Sequence, residues 1–101
     1  MEKSPDKFRY QGTIWYKSEA EYFAFRDACS DPEDFYSRYS EWLTDAQEFV
    51  DALAKRNMGT VRVEADLDRF LLFCKVNAKT PDKRARMAYS AIESRTKMGK
   101  G

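Results

Sequence analysis

The segment from Val61 to Ser94 constrains the fold of this chain most. It contains an alternating stretch, a strongly apolar stretch, a three-residue break and a basic stretch. Val61 and Val63 alternate with charged residues, which is the period-two pattern of a half-buried strand. Asp66 stands where an aspartate caps a helix. The segment therefore predicts a strand followed by two helices.

The two helices of this segment differ in character. The first has a core stripe at every third or fourth residue, formed by Leu67, Phe70, Leu71 and Cys74. Further apolar residues (Leu72, Phe73 and Val76) leave most of its surface apolar, so we expect it to be central or covered. The second begins at Thr80-Pro81-Asp82, where a cap precedes proline. Its predicted buried face consists of Ala85, Ala88, Tyr89 and Ile92.

The first sixty residues predict another strand and two more helices. Residues 8–16 alternate like a strand, and Gly12 marks a bulge or tight turn. Ser18 and Glu21 form a capping box for a helix over about 19–29. Asp31-Pro32 starts a long amphipathic helix, over about 32–57, which Gly59 ends in a left-handed conformation. Whether that helix breaks near Ser40 stays open.

These elements predict an α+β fold, a mainly helical single domain in the order β-α-α-β-α-α. The chain of 101 residues suits one domain. Residues 8–95 form the globular part, 1–7 a flexible amino terminus and 96–101 a disordered tail. We expect a small antiparallel sheet, or a hairpin split at Gly12. It must pack on the helices because an isolated two-stranded ribbon is marginally stable.

The composition argues against an enzyme and against a metal or cofactor. Because the chain has no histidine, a cysteine or serine nucleophile lacks its usual base. Cys29 and Cys74 lack the spacing of a zinc site, and no glycine-rich phosphate loop is present. Both cysteines are predicted to be buried, either free or paired. We expect a cytoplasmic protein, since neither a signal peptide nor a membrane-spanning run is found.

Two surfaces are candidates for binding. Residues 79–101 hold seven lysines and arginines against two acids. The last two helices resemble a helix-turn-helix, which would bind nucleic acid through Lys83, Arg84, Arg86 and Arg95. The second candidate surface would contact a protein partner or a second copy of this chain in a homodimer. It consists of the aromatic residues outside the helical stripes: Trp15, Phe23, Tyr36 and Phe73. A second core layer is the competing explanation for these aromatics. We expect protein binding first and nucleic-acid binding as the alternative.

One further pattern spans the two carboxyl-terminal helices. It is formed by Asp66, Asp68, Phe70, Phe73, Cys74 and Asn77, followed by Arg84, Ala85, Arg86 and Tyr89. It resembles small accessory proteins of bacteriophage and integrated mobile elements over residues 60–92. The resemblance implies a bacterial or phage setting, no cofactor, and action on a host protein or nucleic acid, as an inhibitor or regulator of a host system. Such proteins generally have no assigned activity, so the resemblance implies no functional residues.

Overall fold

The computed structural model describes residues 9–99 of this chain. The elements in chain order are β1 (Tyr10–Trp15), α1 (Glu19–Ala28), a 3-10 turn (Pro32–Asp34), α2 (Tyr39–Ala54), β2 (Gly59–Glu64), α3 (Leu67–Val76) and α4 (Lys83–Gly99). The predicted α+β class and the order β-α-α-β-α-α are confirmed. None of the helices in this range has both the length and the apolar character needed to cross a membrane. The predicted flexible segment 1–7 lies outside the described residues.

The two strands pair in parallel, so the expected antiparallel sheet or hairpin is wrong. Tyr10 pairs with Gly59 and Trp15 with Glu64, without a bulge between them. Side-chain alternation has the same period in both kinds of sheet, which is why the sequence pattern did not reveal the direction. Parallel strands need a long crossover, and α1 and α2 supply it. Gly12 lies within β1 and makes no turn.

Gly12 is the point at which α4 comes closest to the sheet. A Cβ atom at this position would lie 2.5 Å from the Ser94 Cβ and 2.6 Å from the Ser90 carbonyl oxygen. Glycine is therefore required by the approach of the helix backbone to the strand. The small side chains of Ser90 and Ser94 allow the same approach from the other side.

The contact between Gly12 and α4 determines which side of the helix is buried, and that side differs in part from the predicted one. Ala85 and Tyr89 are buried as predicted, but Ile92 is 41% exposed. Ser90 and Ser94 are buried instead, and their hydroxyls donate to the carbonyls of Met87 and Ala91 on α4 itself. Those internal hydrogen bonds satisfy the polar groups that burial removes from water.

The core lies between the sheet and the helices. Its most buried large side chains are Tyr22, Phe25, Phe70 and Tyr89. The ring of Tyr16 packs edge-on against Tyr22 and Phe25, with 5.1 Å between centroids in each pair. Ile14 on β1 and Val63 on β2 are both buried, and they lie opposite each other in the register of the sheet. Both cysteines are buried free thiols.

The helix starts were predicted well where the cap is local. The Ser18 hydroxyl accepts from the Glu21 amide at 3.2 Å, and the Asp66 carboxylate accepts from the Arg69 amide at 3.1 Å. The Glu21 carboxylate accepts from the amide of Lys17, one residue before the expected donor. Before β2, Asn57 adopts the left-handed conformation predicted for Gly59, with φ 61°.

The predicted helix over 32–57 is interrupted. The chain makes only a 3-10 turn after Asp31, and α2 begins at Tyr39. Two contacts hold the intervening residues. The Tyr36 amide donates to the Tyr22 hydroxyl at 2.6 Å, and the Tyr39 hydroxyl donates to the Tyr16 carbonyl at 2.7 Å. Asp31 does not cap its own turn, because its carboxylate bonds to α4.

Two further expectations differ from the structure. Leu72 and Val76 are 59% and 73% exposed, so no described residue covers that side of α3. Helix α4 continues to Gly99, through most of the segment predicted as a disordered tail over 96–101. The Thr96 hydroxyl donates to the Ile92 carbonyl and the Lys97 ammonium to the Arg62 carbonyl, which together hold that last part. Residues 100–101 lie outside the described range.

Candidate partner-binding groove

A groove runs between the outer edge of β1 and the side of α4, and we call it the β1–α4 groove. It consists of two adjacent cavities of about 280 and about 420 Å³. Four residues line both cavities: Gln11, Gly12, Met87 and Ser90. Met87 is 59% exposed, so an apolar side chain stands at the middle of the groove.

The strand and the helix run in opposite directions along this groove. One cavity is lined by Ile14 and Tyr16 at the end of the strand, and by Lys83 at the start of the helix. The other is lined by Tyr10 at the start of the strand and by Arg95 late in the helix. Each end of the groove therefore has one exposed basic side chain, Lys83 at one end and Arg95 at the other.

The backbone of β1 determines which polar groups face the groove. The Gly59 amide donates to the Arg9 carbonyl at 3.0 Å. The odd-numbered residues of β1 therefore direct their backbone N–H and C=O groups toward β2. In a strand, the N–H and C=O of one residue point to the same side and those of the next residue to the other. The even-numbered residues, Gly12 and Ile14 among them, therefore direct both groups away from β2. No described residue forms a hydrogen bond with these outward groups of Gly12 and Ile14.

The outer edge of β2 differs from that of β1. By the same alternation, Arg62 directs its carbonyl outward from the sheet. The Lys97 ammonium of α4 donates to this carbonyl at 3.0 Å. A lysine at a sheet edge hinders the addition of another strand. Within the described residues, such a lysine contact is found on the β2 edge and not on β1.

Arg86 also lines the Lys83 end of the groove, but it is buried and its guanidinium is paired with two carboxylates. Its guanidinium donates to both carboxylate oxygens of Asp31, at 2.9 and 3.2 Å, and to Asp34 at 2.7 Å. It also lies over the ring of Phe35, 4.6 Å from the centroid. The Lys83 amide donates to the same Asp31 carboxylate at 2.9 Å. This cluster fixes the amino-terminal end of α4 to the loop that follows α1.

The protonation states of this cluster follow from its contacts. The hydrogen bond from Arg86, opposed by partial burial, holds the pKa of Asp31 below its ordinary value. Burial alone would lower the pKa of Arg86, but the hydrogen bonds to Asp31 more than offset it and leave that pKa raised. Burial also raises the pKa of the Cys29 thiol, against the opposing effect of Arg86. The ion pair is therefore formed at neutral pH beside a protonated thiol.

An aromatic cluster lies next to the groove. Trp15 packs edge-on against Trp42, with 5.2 Å between centroids, and the Arg62 guanidinium covers its ring at 3.9 Å. Trp42 also lies 5.0 Å from Tyr16, and it lines the Lys83 end of the groove. Trp15 is thus half-buried between a tryptophan and an arginine.

The four aromatic residues predicted as partner contacts do not form one exposed surface. Phe23 packs against Tyr22 at 5.4 Å and is covered by Arg26, while Phe73 packs against Tyr89 on another side of the core. Tyr36 is 41% exposed, and its hydroxyl donates to Asp45. None of the four, Trp15 included, lines the β1–α4 groove. Their role in binding stays a prediction.

The four basic residues predicted for nucleic-acid binding separate into two kinds. Arg86 is 9% exposed, and its guanidinium is taken up by Asp31 and Asp34. Lys83, Arg84 and Arg95 are exposed, and no described carboxylate lies within 4.0 Å of them. The three exposed residues can meet an acidic partner, whereas Arg86 holds the fold together.

Chemically, the groove is suited to binding through hydrogen bonds and charge. Burial raises the pKa of Cys74 as well, so both cysteines are thiols at neutral pH. Within residues 9–99, no cluster of three metal-ligating side chains occurs. Sequence reasoning missed the groove because it depends on strand direction. Its one local signal was Gly12 in an otherwise regular strand.

In comparisons with known proteins, no family model, curated protein sequence or solved structure gave a match to this chain.

Proposed function

We propose that this chain is a non-enzymatic binding protein that holds a segment of another protein in the β1–α4 groove. The resemblance over residues 60–92 adds the setting, a bacterial or phage accessory protein that acts on a host system. The observation that carries the proposal is the contrast between the two sheet edges. Lys97 occupies the β2 edge, whereas the outward groups of Gly12 and Ile14 face an open groove.

Edge strands with free backbone groups are a common means of peptide recognition. An extended peptide adds to the edge, where main-chain hydrogen bonds supply affinity and neighbouring pockets supply specificity. Proteins usually protect such edges, and Lys97 is a protection of that kind. An unprotected edge beside an exposed Met87 is therefore consistent with use as a binding site.

A display library of random dodecapeptides tests this proposal without a known partner. We expect clones that bind the wild-type chain and lose binding to Met87→Glu, which replaces the apolar side chain of the groove by a carboxylate. Leu72→Glu is the matched control, because Leu72 is equally exposed, at 59%, but lies on α3 away from the groove. The control variant should bind the same clones as wild type.

Two results would count against this function. One is the absence of any clone whose binding depends on Met87. The other is a gel shift of DNA or RNA by the wild-type chain at low salt that is lost in Arg84→Glu. The second result would favour the alternative, a nucleic-acid-binding regulator that uses the exposed residues Lys83, Arg84 and Arg95.

A further inference from the structure

We infer that the occupant of the β1–α4 groove is an extended acidic segment of a partner protein, added as a third strand at the β1 edge. This inference rests on the proposed function and specifies the chemistry of the partner. Three properties of the groove carry it: its length, its hydrogen-bonding pattern and its charge.

The length of the groove fits a short extended segment. Lys83 and Arg95 stand at its two ends on α4, and a helix rises about 1.5 Å per residue, so they are about 18 Å apart. An extended strand advances about 3.3 Å per residue, so about five or six residues of a partner would span this distance. The strand β1 itself has six residues, from Tyr10 to Trp15.

The hydrogen-bonding pattern fits a polypeptide backbone. Gly12 and Ile14 each present one donor and one acceptor toward the groove, and a polypeptide strand has the complementary alternation. The phosphodiester groups of DNA and RNA have acceptors and no donors, so the outward carbonyls of β1 would face phosphate oxygens unpaired, and only the 2′-hydroxyl of RNA could donate to them. The edge therefore favours a protein strand over the backbone of a nucleic acid.

The charge of the groove fits acidic side chains. Lys83 and Arg95 are exposed at its ends, with no described carboxylate within 4.0 Å of either. Asp34 also lines the groove, but it is paired with Arg86 at 2.7 Å. Two positive charges at the ends are thus left without partners among the described residues. Complementary charge of this kind sets specificity and accelerates association.

These properties together define the expected ligand. It has carboxylates near both ends, opposite Lys83 and Arg95, and an apolar side chain in the middle, against Met87. The backbone between them pairs with Gly12 and Ile14.

Selection from the random dodecapeptide library on three forms of the protein tests this chemistry. On wild type we expect clones enriched in Asp and Glu on both sides of an apolar residue. Replacing those acids by Asn and Gln in synthetic peptides should weaken binding by roughly tenfold or more. On Lys83→Glu/Arg95→Glu the enrichment should change to Lys and Arg. The control Lys55→Glu/Lys75→Glu has the same net charge but changes exposed residues that do not line the groove, so it should still select acidic clones.

Hydrogen exchange of the peptide complex tests the strand geometry. The amides of Gly12 and Ile14 should exchange more slowly with peptide bound, while the amide of Arg62 on the other edge should not change. Clones that depend on Met87 but show no acidic enrichment would overturn this inference and leave the proposed function standing. Unchanged exchange at Gly12 and Ile14, or the same protection in a peptide-free dimer of this chain, would also overturn it.

Discussion

The guanidinium of Arg86 and the carboxylate of Asp31 form a two-point ion pair, at 2.9 and 3.2 Å, between α4 and the loop after α1. Both side chains are mostly buried, 10% and 19% exposed. Removing one partner of such a pair leaves the other charge buried and without compensation. The pair therefore fixes the position of α4, and with it one wall of the β1–α4 groove.

We expect Arg86→Ala to lower the free energy of unfolding by about 3 kcal/mol, because Asp31 and Asp34 would lose their counter-charge. Arg84→Ala removes the same side chain two positions earlier, where it is exposed and has no described ion-pair partner. That control should change the free energy of unfolding by less than about 0.5 kcal/mol. Urea denaturation of both variants measures the difference. Equal losses would show that the ion pair does not stabilise the fold.

Stability should decrease in acid through Asp31. The hydrogen bond from Arg86 holds the pKa of Asp31 below its ordinary value of 3.8 in the folded chain. The unfolded chain therefore takes up this proton first, and the free energy of unfolding falls as the pH drops past about 4 and through the lower folded pKa. Asp31→Asn should show a smaller difference between pH 7 and pH 3 in urea denaturation. Asp51→Asn, at an exposed position on α2, is the control and should keep the wild-type dependence.

Gly12→Ala should destabilise the fold, because the added Cβ would lie 2.5 Å from Ser94 and 2.6 Å from the Ser90 carbonyl. Overpacking of this kind costs about 1–3 kcal/mol. Gly59→Ala is the matched control in the paired strand, since its nearest neighbour would be 3.9 Å away. Thermal unfolding should separate the two variants clearly. Similar melting temperatures would mean that α4 does not approach β1 this closely in solution.

The two thiols should react slowly in the folded protein. Burial raises the pKa of both Cys29 and Cys74, and the thiolate is the reactive form. With a disulfide reagent at pH 8, we expect both to react roughly tenfold or more slowly than free glutathione. Both should react at once after unfolding in guanidinium chloride. Rapid reaction of either thiol in the native protein would contradict their burial.

The parts of the fold that depend on neighbouring residues could be predicted from the sequence. The caps at Ser18 and Asp66 involve an amide only three residues away, so the local pattern determines them. The core stripe of α3 was correct for the same reason, with Phe70 and Cys74 buried.

The parts that depend on distant residues could not be predicted. Asp31 has the residue type and position of a helix cap, but Arg86 binds its carboxylate from the far end of the chain. Ile92 was expected to be buried because it is apolar, yet contact with Gly12 favours the small side chains of Ser90 and Ser94. The groove combines both difficulties, since it requires the strand direction and the rotation of α4.

The parallel pairing of β1 and β2 also has a consequence for synthesis on the ribosome. Tyr10 is made early, but its partner Gly59 follows only after both crossover helices, and Ser94 later still. Contacts so distant in sequence form slowly, because the loop must close before they contribute. A nascent chain that stops before β2 therefore leaves the residues of β1 without their pairing partner, which favours aggregation. Strand β1 is thus made before β2 and α4, the two elements on which its packing depends.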